Sequence, residues 1–78
     1  MVEVYILKSI NRNYHYVGIS AELEIRFEKH NSGKNKTTAP YAPFKRIYTK
    51  SFESYKEARK HEVFLKSGKG REFIKTLI

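Results

Sequence analysis

The 78-residue chain lacks cysteine and aspartate and contains no long apolar run. Without cysteine it can form neither disulfide bonds nor cysteine zinc sites, and nothing in it indicates an oxidising compartment. No stretch is long enough to span a bilayer, and Met1-Val2-Glu3 begins a strand-like pattern rather than a signal peptide. These absences predict a soluble, cytoplasmic protein that does not enter a membrane.

The absence of aspartate also limits the metal chemistry of the chain. All eight acidic residues are glutamates, and they are spread along the sequence. Enzymes that use two metal ions usually hold them with several clustered carboxylates. We therefore expect a site for one ion at most.

The length of the chain limits its hydrophobic core. With 78 residues it should bury a fraction of its surface only slightly above the ~60% that is typical of about 60 residues. We therefore expect residues 1–78 to form a single small domain around one modest core.

The positive charge is concentrated in the second part of the chain. Residues 1–33 carry four Lys or Arg and four Glu, whereas residues 34–78 carry twelve and four, so the net charge of +8 arises after residue 33. This distribution favours a polyanionic partner, most often nucleic acid. The alternative is a basic soluble domain without such a partner.

Two segments near the N-terminus have the β-branched and aromatic composition of strands. Val2–Lys8 and Tyr14–Ile19 are separated by a short turn and predict an antiparallel hairpin. Alternate aliphatic residues then form one side of the core, because side chains alternate along a strand. Tyr5 and Tyr16 share the other face only if the turn has an even number of residues, for example Ile10 to Asn13.

The next segment predicts a helix with polar residues beside its buried side. Ser20 is a suitable N-cap, and the helix should run to about Asn31, with Gly33 as its terminator. Its inward stripe contains Leu23 and Phe27. The polar residues beside this stripe, at spacings of three, four and seven, are Arg26 and His30.

A long connection, residues 32–44, follows this helix. A loop of this length in so small a domain is more often functional than accidental, and its lysines and hydroxyls suit a phosphate backbone. A mobile, solvated loop is the alternative interpretation. Phe44–Lys50 then predicts a third strand. The residues that we expect to contact nucleic acid here are Lys34, Lys36, Lys45 and Arg46.

A capping box predicts the start of a second helix. Ser54 and Glu57 can satisfy each other's backbone donors, and the helix should run to about Lys66 or Ser67. Gly68-Lys69-Gly70 is expected to break it. The residues expected to pack onto the core as a last amphipathic turn or two are Phe73, Ile74, Leu77 and Ile78.

The second helix places a carboxylate on its apolar stripe. The stripe contains Tyr55, Ala58 and Leu65, and Glu62 lies four residues after Ala58 and three before Leu65. A lone carboxylate at such a position is costly to bury unless it is paired or bound to a cation. Glu62 is therefore the strongest candidate for a functional residue.

The order β-β-α-β-α-α and the residues that it carries resemble the GIY-YIG nuclease superfamily over nearly the whole chain. Val4-Tyr5-Ile6 and Tyr16-Val17-Gly18 correspond to the two tripeptides of that family. Leu23–Gly33, Glu57–Glu62 and Leu65-Lys66 are similar to its small stand-alone bacterial branch. The resemblance implies an α/β (α+β) fold with a three-stranded antiparallel sheet flanked by helices.

The resemblance also implies an activity, the metal-dependent endonucleolytic hydrolysis of phosphodiester bonds in DNA, in repair or recombination. Glu62 would hold one divalent cation, Mg²⁺ or Mn²⁺. Arg26 would contact the scissile phosphate, and Tyr5 would lie next to the attacking water. A phenol with a pKa of about 10 is only ~0.1% ionised at pH 7. Tyr5 can therefore act as a base only if the cation, Arg26 or a charged His30 lowers that pKa.

Three further residues receive roles from the resemblance. Tyr16 would support the water or phosphate network, and Gly18 would allow the backbone to approach closely. His30 would hydrogen-bond Tyr5. Each also has an ordinary structural interpretation, since tyrosines are common in half-buried strands and a histidine at a helix C-terminus interacts with the dipole.

Two other functions remain compatible with the sequence. The chain could keep the fold and the basic surface as a non-catalytic nucleic-acid-binding module. It could also be a nuclease domain that depends on a protein partner for targeting, because larger relatives carry separate DNA-binding domains.

Overall fold

The computed structural model describes residues 1–78 and confirms the predicted fold. Three strands form one antiparallel sheet in the order β2-β1-β3, so β1 is central and β2 is an edge strand. No helix combines the length and the apolar character that a membrane crossing requires. The elements are β1 (Val2–Ser9), β2 (His15–Ser20), α1 (Leu23–Asn31), β3 (Phe44–Phe52), α2 (Tyr55–Lys66) and α3 (Gly68–Lys75).

The register of the first hairpin confirms the predicted parity. Tyr5 pairs with Gly18, and Leu7 pairs with Tyr16. The Ser9 amide donates to the Tyr14 carbonyl at 2.9 Å, which leaves a four-residue turn between them. Because directly opposed residues of an antiparallel pair lie on the same face, Tyr5 and Tyr16 share one face of the sheet.

The sheet divides the core in two, where the sequence predicted one. On one side, which we call the aliphatic face, Val4, Ile6 and Val17 pack against α2 and α3. On the other side, the tyrosine face, Tyr5 and Leu7 pack with side chains from α1 and the start of β3. Alternate residues of the central, mostly buried strand β1 therefore belong to different cores.

The start of α1 differs from the prediction, whereas its end agrees with it. Ser20 is the last residue of β2, and its hydroxyl accepts from the Glu22 amide at 2.9 Å, before the helix begins. No side chain caps α1. At the other end Gly33 has a φ of +75°, and the Lys34 amide donates to the Lys29 carbonyl at 3.1 Å. Glycine ends the helix because that φ is rarely adopted by other residues.

Helix α2 begins as predicted, but one residue of its expected stripe is misplaced. The Ser54 hydroxyl accepts from the Glu57 amide at 3.3 Å. Ala58 and Leu65 are buried against the sheet, whereas Tyr55 is 58% exposed. Tyr55 is the first residue of the helix, and its side chain lies in a cleft at the edge of β2 rather than in the core.

The chain breaks after α2 as predicted, and the two glycines belong to the first turn of α3. The break occurs at Ser67, whose extended backbone and hydroxyl cap the Gly70 amide at 3.3 Å. A Cβ at Gly70 would overlap the Phe64 carbonyl and the Leu65 backbone, so glycine allows α3 to pack closely against the end of α2. Of the four terminal apolar residues predicted to pack, only Ile74 is buried; Leu77 is half-buried, and Phe73 and Ile78 are exposed.

The long connection between α1 and β3 is attached to the rest of the protein at several points. The Ser9 hydroxyl donates to the Tyr41 carbonyl at 2.6 Å, and the Asn31 side chain accepts from the Phe44 amide at 2.5 Å. Thr38 is fully buried. These contacts argue against a freely mobile connection.

Candidate active site

Tyr5 lies at the centre of the tyrosine face, directly above Gly18. Its side chain is 1% exposed. A Cβ at position 18 would lie 2.6 Å from the Tyr5 hydroxyl oxygen and 2.8 Å from Cε2 of Tyr16. The sequence predicted that Gly18 lets the backbone approach closely, and the structure shows that the atoms which approach it belong to the Tyr5 phenol.

The environment of Tyr5 keeps its phenol protonated. Burial, followed by interaction with Tyr16, raises the pKa of Tyr5 to about 12, while Arg26 lowers it and Glu62 raises it. The hydroxyl has no hydrogen-bond partner in the protein, and the residue as a whole is almost completely buried. Tyr5 is therefore a buried phenol with a neutral, unpartnered hydroxyl.

His30 is buried beside the two tyrosines. It does not form the hydrogen bond to Tyr5 that the resemblance implied. Its Nδ1 lies 2.8 Å from the hydroxyl oxygen of Thr38 in the long connection. Its ring centroid is 4.7 Å from that of Tyr16 and 6.3 Å from that of Tyr5. Burial and the Arg26 charge lower the pKa of His30, so the ring is neutral at pH 7. A charged His30 is thus not available to lower the pKa of Tyr5.

Arg26 projects from α1 with an exposed and unpaired guanidinium. It takes part in none of the three salt bridges of the protein. Its charge nevertheless acts on both Tyr5 and His30. The guanidinium donors next to Tyr5 are free to bind an anion.

Glu62 occupies the position that its spacing predicted, on the buried side of α2. The residue is 9% exposed. Its two carboxylate oxygens face Arg59 at 3.5 Å and Lys66 at 3.3 Å. These partners precede and follow it by about one helical turn, which offsets part of the cost of burying the carboxylate.

A cleft along the free edge of β2 brings Glu62 together with residues of the tyrosine face. We call it the edge cleft, and its volume is about 510 Å³. The sequence did not identify Tyr55, Lys56 and Arg59 of α2 as residues of the site. They lie seven, six and three positions before Glu62 and so fall on its side of the helix. The cleft is lined by Tyr16, Gly18 and Ile19 from β2 and by Tyr55, Lys56, Arg59 and Glu62 from α2.

The edge cleft offers a single carboxylate to a cation. No group of three or more His, Cys, Asp or Glu side chains lies close enough together to hold a metal. Glu62 is the only carboxylate in the cleft. Mg²⁺ typically takes one or two protein carboxylates and completes its coordination with waters and substrate phosphates, which matches this donor set.

The four residues predicted to contact nucleic acid do not line the edge cleft. Lys34, Lys36 and Lys45 are exposed. Arg46 instead forms an ion pair with Glu24 at 2.5 Å, and its guanidinium lies 5.3 Å from the centre of the Phe27 ring. These contacts leave Arg46 less available to a phosphate than the three lysines.

Comparison with known proteins agrees with the geometry. The sequence model of one protein family, described as the GIY-YIG catalytic domain, matches residues 1–75. The chain is also similar to a UPF0213 protein from Bacillus halodurans whose solution NMR structure is known, with 33% identity and a TM-score of 0.57. That match covers 99% of this chain and 85% of the other. A search of the curated proteins gave no match.

Proposed function

The chain belongs to the GIY-YIG family of nucleases, and we propose that it is a metal-dependent endonuclease that hydrolyses phosphodiester bonds in DNA, in repair or recombination. The observation that carries this proposal is the edge cleft. The buried carboxylate of Glu62 lines this cleft together with Tyr16 and Gly18, and the Tyr5 phenol packs against Gly18. A structural role alone gives no reason for one carboxylate on the apolar side of α2 to open into this cleft.

Arg26 would position the scissile phosphate. A planar guanidinium can donate two parallel hydrogen bonds to phosphate oxygens, and it stabilises the negative charge that develops during in-line displacement. The unpaired donors of Arg26 and the influence of its charge on Tyr5 support this role.

Glu62 would bind one Mg²⁺ or Mn²⁺, while Tyr16 lines the opposite wall of the cleft and would orient water or phosphate. When bound, the cation supplies positive charge that stabilises the phosphate and lowers the pKa of a nearby phenol and water. Arg59 and Lys66, which pair with Glu62 in the protein alone, would then turn toward phosphate groups of the strand.

Tyr5 would hydrogen-bond the attacking water through its unpartnered hydroxyl. With a pKa of about 12 the phenol is almost fully protonated at pH 7. It can accept the proton of the water only after that pKa is lowered, and the positive charges of Arg26 and of a cation at Glu62 act in that direction. His30 would hold the two tyrosine rings in place as a neutral, positioning residue.

The test is cleavage of branched, single-stranded and duplex DNA with Mg²⁺ and with a chelator. We expect metal-dependent cleavage by the wild type and a loss on the order of 10²–10³-fold in Glu62→Gln and in Tyr5→Phe. Glu57→Gln changes an exposed carboxylate of the same helix, and Tyr48→Phe removes a hydroxyl that bonds His61. Both control variants should keep full activity.

The same assay separates the competing functions. If cleavage survives both Glu62→Gln and Tyr5→Phe, the assigned site is wrong. Binding of DNA without cleavage of any of the three substrates would instead support a non-catalytic binding module, or a nuclease that needs a protein partner for targeting.

A further inference from the structure

A second cavity lies along β2 beside the edge cleft. It has a volume of about 200 Å³ and shares Tyr16 with that cleft. We call it the α3 cavity because Arg71 of α3 forms one wall. Its remaining lining residues are His15, Val17, Leu65 and Lys66.

The α3 cavity presents positive charge without a carboxylate. Arg71 takes part in no salt bridge, so its guanidinium is free. Burial, then Arg71 and Lys8, lower the pKa of His15, so this ring is neutral at pH 7 and offers a hydrogen bond rather than a charge. An anion is the ligand that such a wall would attract.

The position of Arg71 is fixed by the packing of its neighbour. Gly70 contacts the backbone at the end of α2 so closely that no Cβ could be accommodated there. The backbone of Arg71 is therefore held beside Leu65 and Lys66, and its exposed side chain starts from this position.

Lys66 connects the α3 cavity to the candidate active site. Its ammonium lies 3.3 Å from a carboxylate oxygen of Glu62, and its side chain lines the cavity. Four residues of helix separate the two positions by about 6 Å. This spacing is close to the distance between consecutive phosphates of one strand. A strand with its scissile phosphate at Glu62 would therefore bring a neighbouring phosphate to Lys66 and Arg71.

We propose that the α3 cavity is a subsite for a flanking phosphate of the strand that is cleaved, held by Arg71 and Lys66. The proposal rests on the nuclease function proposed above. It adds the direction in which the strand runs, along β2 from the edge cleft toward α3.

One arm of the test measures binding without cleavage. The probe is a fluorescein-labelled DNA oligonucleotide in chelator, and the readout is the dependence of its affinity on salt concentration. Arg71→Gln should weaken binding and lower the slope of log affinity against log salt by about 1, because one phosphate contact is lost. Lys69→Gln removes a charge from the same helix outside the cavity and should leave the slope unchanged. An equal loss of slope in the two variants would overturn the subsite.

The second arm measures cleavage of strands that carry one neutral methylphosphonate at each position in turn. In the wild type, neutralising the phosphate that neighbours the cleaved bond on the α3 side should slow cleavage. In Arg71→Gln the same change should have little further effect. If every position behaves alike in both proteins, the subsite is wrong and the nuclease function stands. If no strand is cleaved but the slope falls in Arg71→Gln alone, the nuclease function fails and the phosphate subsite stands.

Discussion

The two faces of the sheet use the same strand for opposite purposes. On the aliphatic face, Val4 and Ile6 are completely buried against α2 and α3 and carry no polar atom. On the tyrosine face, Tyr5 is equally buried, but its ring ends in an unpartnered hydroxyl above Gly18. The aliphatic face of β1 contributes only packing, whereas the tyrosine face also presents a group of the proposed active site.

This difference shows how a chain of 78 residues can stabilise a site that is itself unfavourable to bury. The polar groups of the tyrosine face, His30 and Thr38, are satisfied by each other, whereas the Tyr5 hydroxyl and Arg26 are left for a ligand. Burial of apolar area on the opposite face compensates, because it needs no polar partner. Stability and function should therefore respond to different substitutions in β1.

The largest effect on stability is expected for Ile6→Ala on the aliphatic face. Removing a fully buried isoleucine side chain should cost about 2–5 kcal/mol of unfolding free energy, measured by urea denaturation. Cleavage per folded molecule should stay close to wild type below the transition. Ile6→Val should give a smaller loss, about 0.5–1.5 kcal/mol.

The adjacent residue provides the converse measurement. Tyr5→Phe should change the urea midpoint little while abolishing most of the cleavage. If Ile6→Ala lowers the cleavage of folded protein as strongly as Tyr5→Phe does, the two faces are not functionally separate.

A smaller loss of stability is expected for Gly18→Ala on the tyrosine face. The added methyl group would force the Tyr5 ring away, and such overpacking typically costs about 1–3 kcal/mol. Because the Tyr5 hydroxyl moves, cleavage should fall as well, in contrast to Ile6→Ala. The double variant Tyr5→Ala/Gly18→Ala should be less destabilised than the sum of the single changes. Additive losses would show that the methyl group does not meet the ring.

The smallest effect is a pH dependence that distinguishes the faces. The pKa of His30 is lowered in the folded protein, mainly by burial, so the unfolded chain binds more protons at mildly acidic pH. Stability should be complete above the ordinary value of 6.5 and should decrease as the pH falls through the lowered pKa. Thermal melts between pH 7.5 and 5 should show a weaker dependence in His30→Gln. His61→Gln, a change on the other side of the sheet, should have less influence, since His61 is only half-buried.

Local sequence patterns predicted the pairing of the first two strands and the buried carboxylate of Glu62. The alternation in Val2–Lys8 and the even turn fixed which side chains share a face, because the period of a strand leaves only two choices. Glu62 could be found because helical spacing places it between Ala58 and Leu65, where a charge stands out. Both signals depend on residues that are near each other in the sequence.

Contacts between distant residues could not be predicted. His30 bonds Thr38 in the long connection, and Arg46 pairs with Glu24 across 22 positions; nothing in either segment specifies the other. The packing role of Gly70 could not be predicted for the same reason. The glycines at 68 and 70 correctly indicated a break between two helices, but Gly70 is also required by the approach of α3 to the end of α2, which only the folded structure reveals.

The contact between Gly18 and Tyr5 has a consequence for how such proteins can change over time. The two residues belong to different tripeptides, yet the missing side chain of one is the space that the ring of the other fills. A substitution at either position alone disturbs the packing. A larger residue at position 18 displaces the Tyr5 ring, and a smaller residue at position 5 leaves a cavity. If the tyrosine at position 5 is replaced by a smaller residue, position 18 no longer has to be glycine. In a protein with this fold, a larger residue at position 18 therefore indicates that the tyrosine at position 5 has been lost as well.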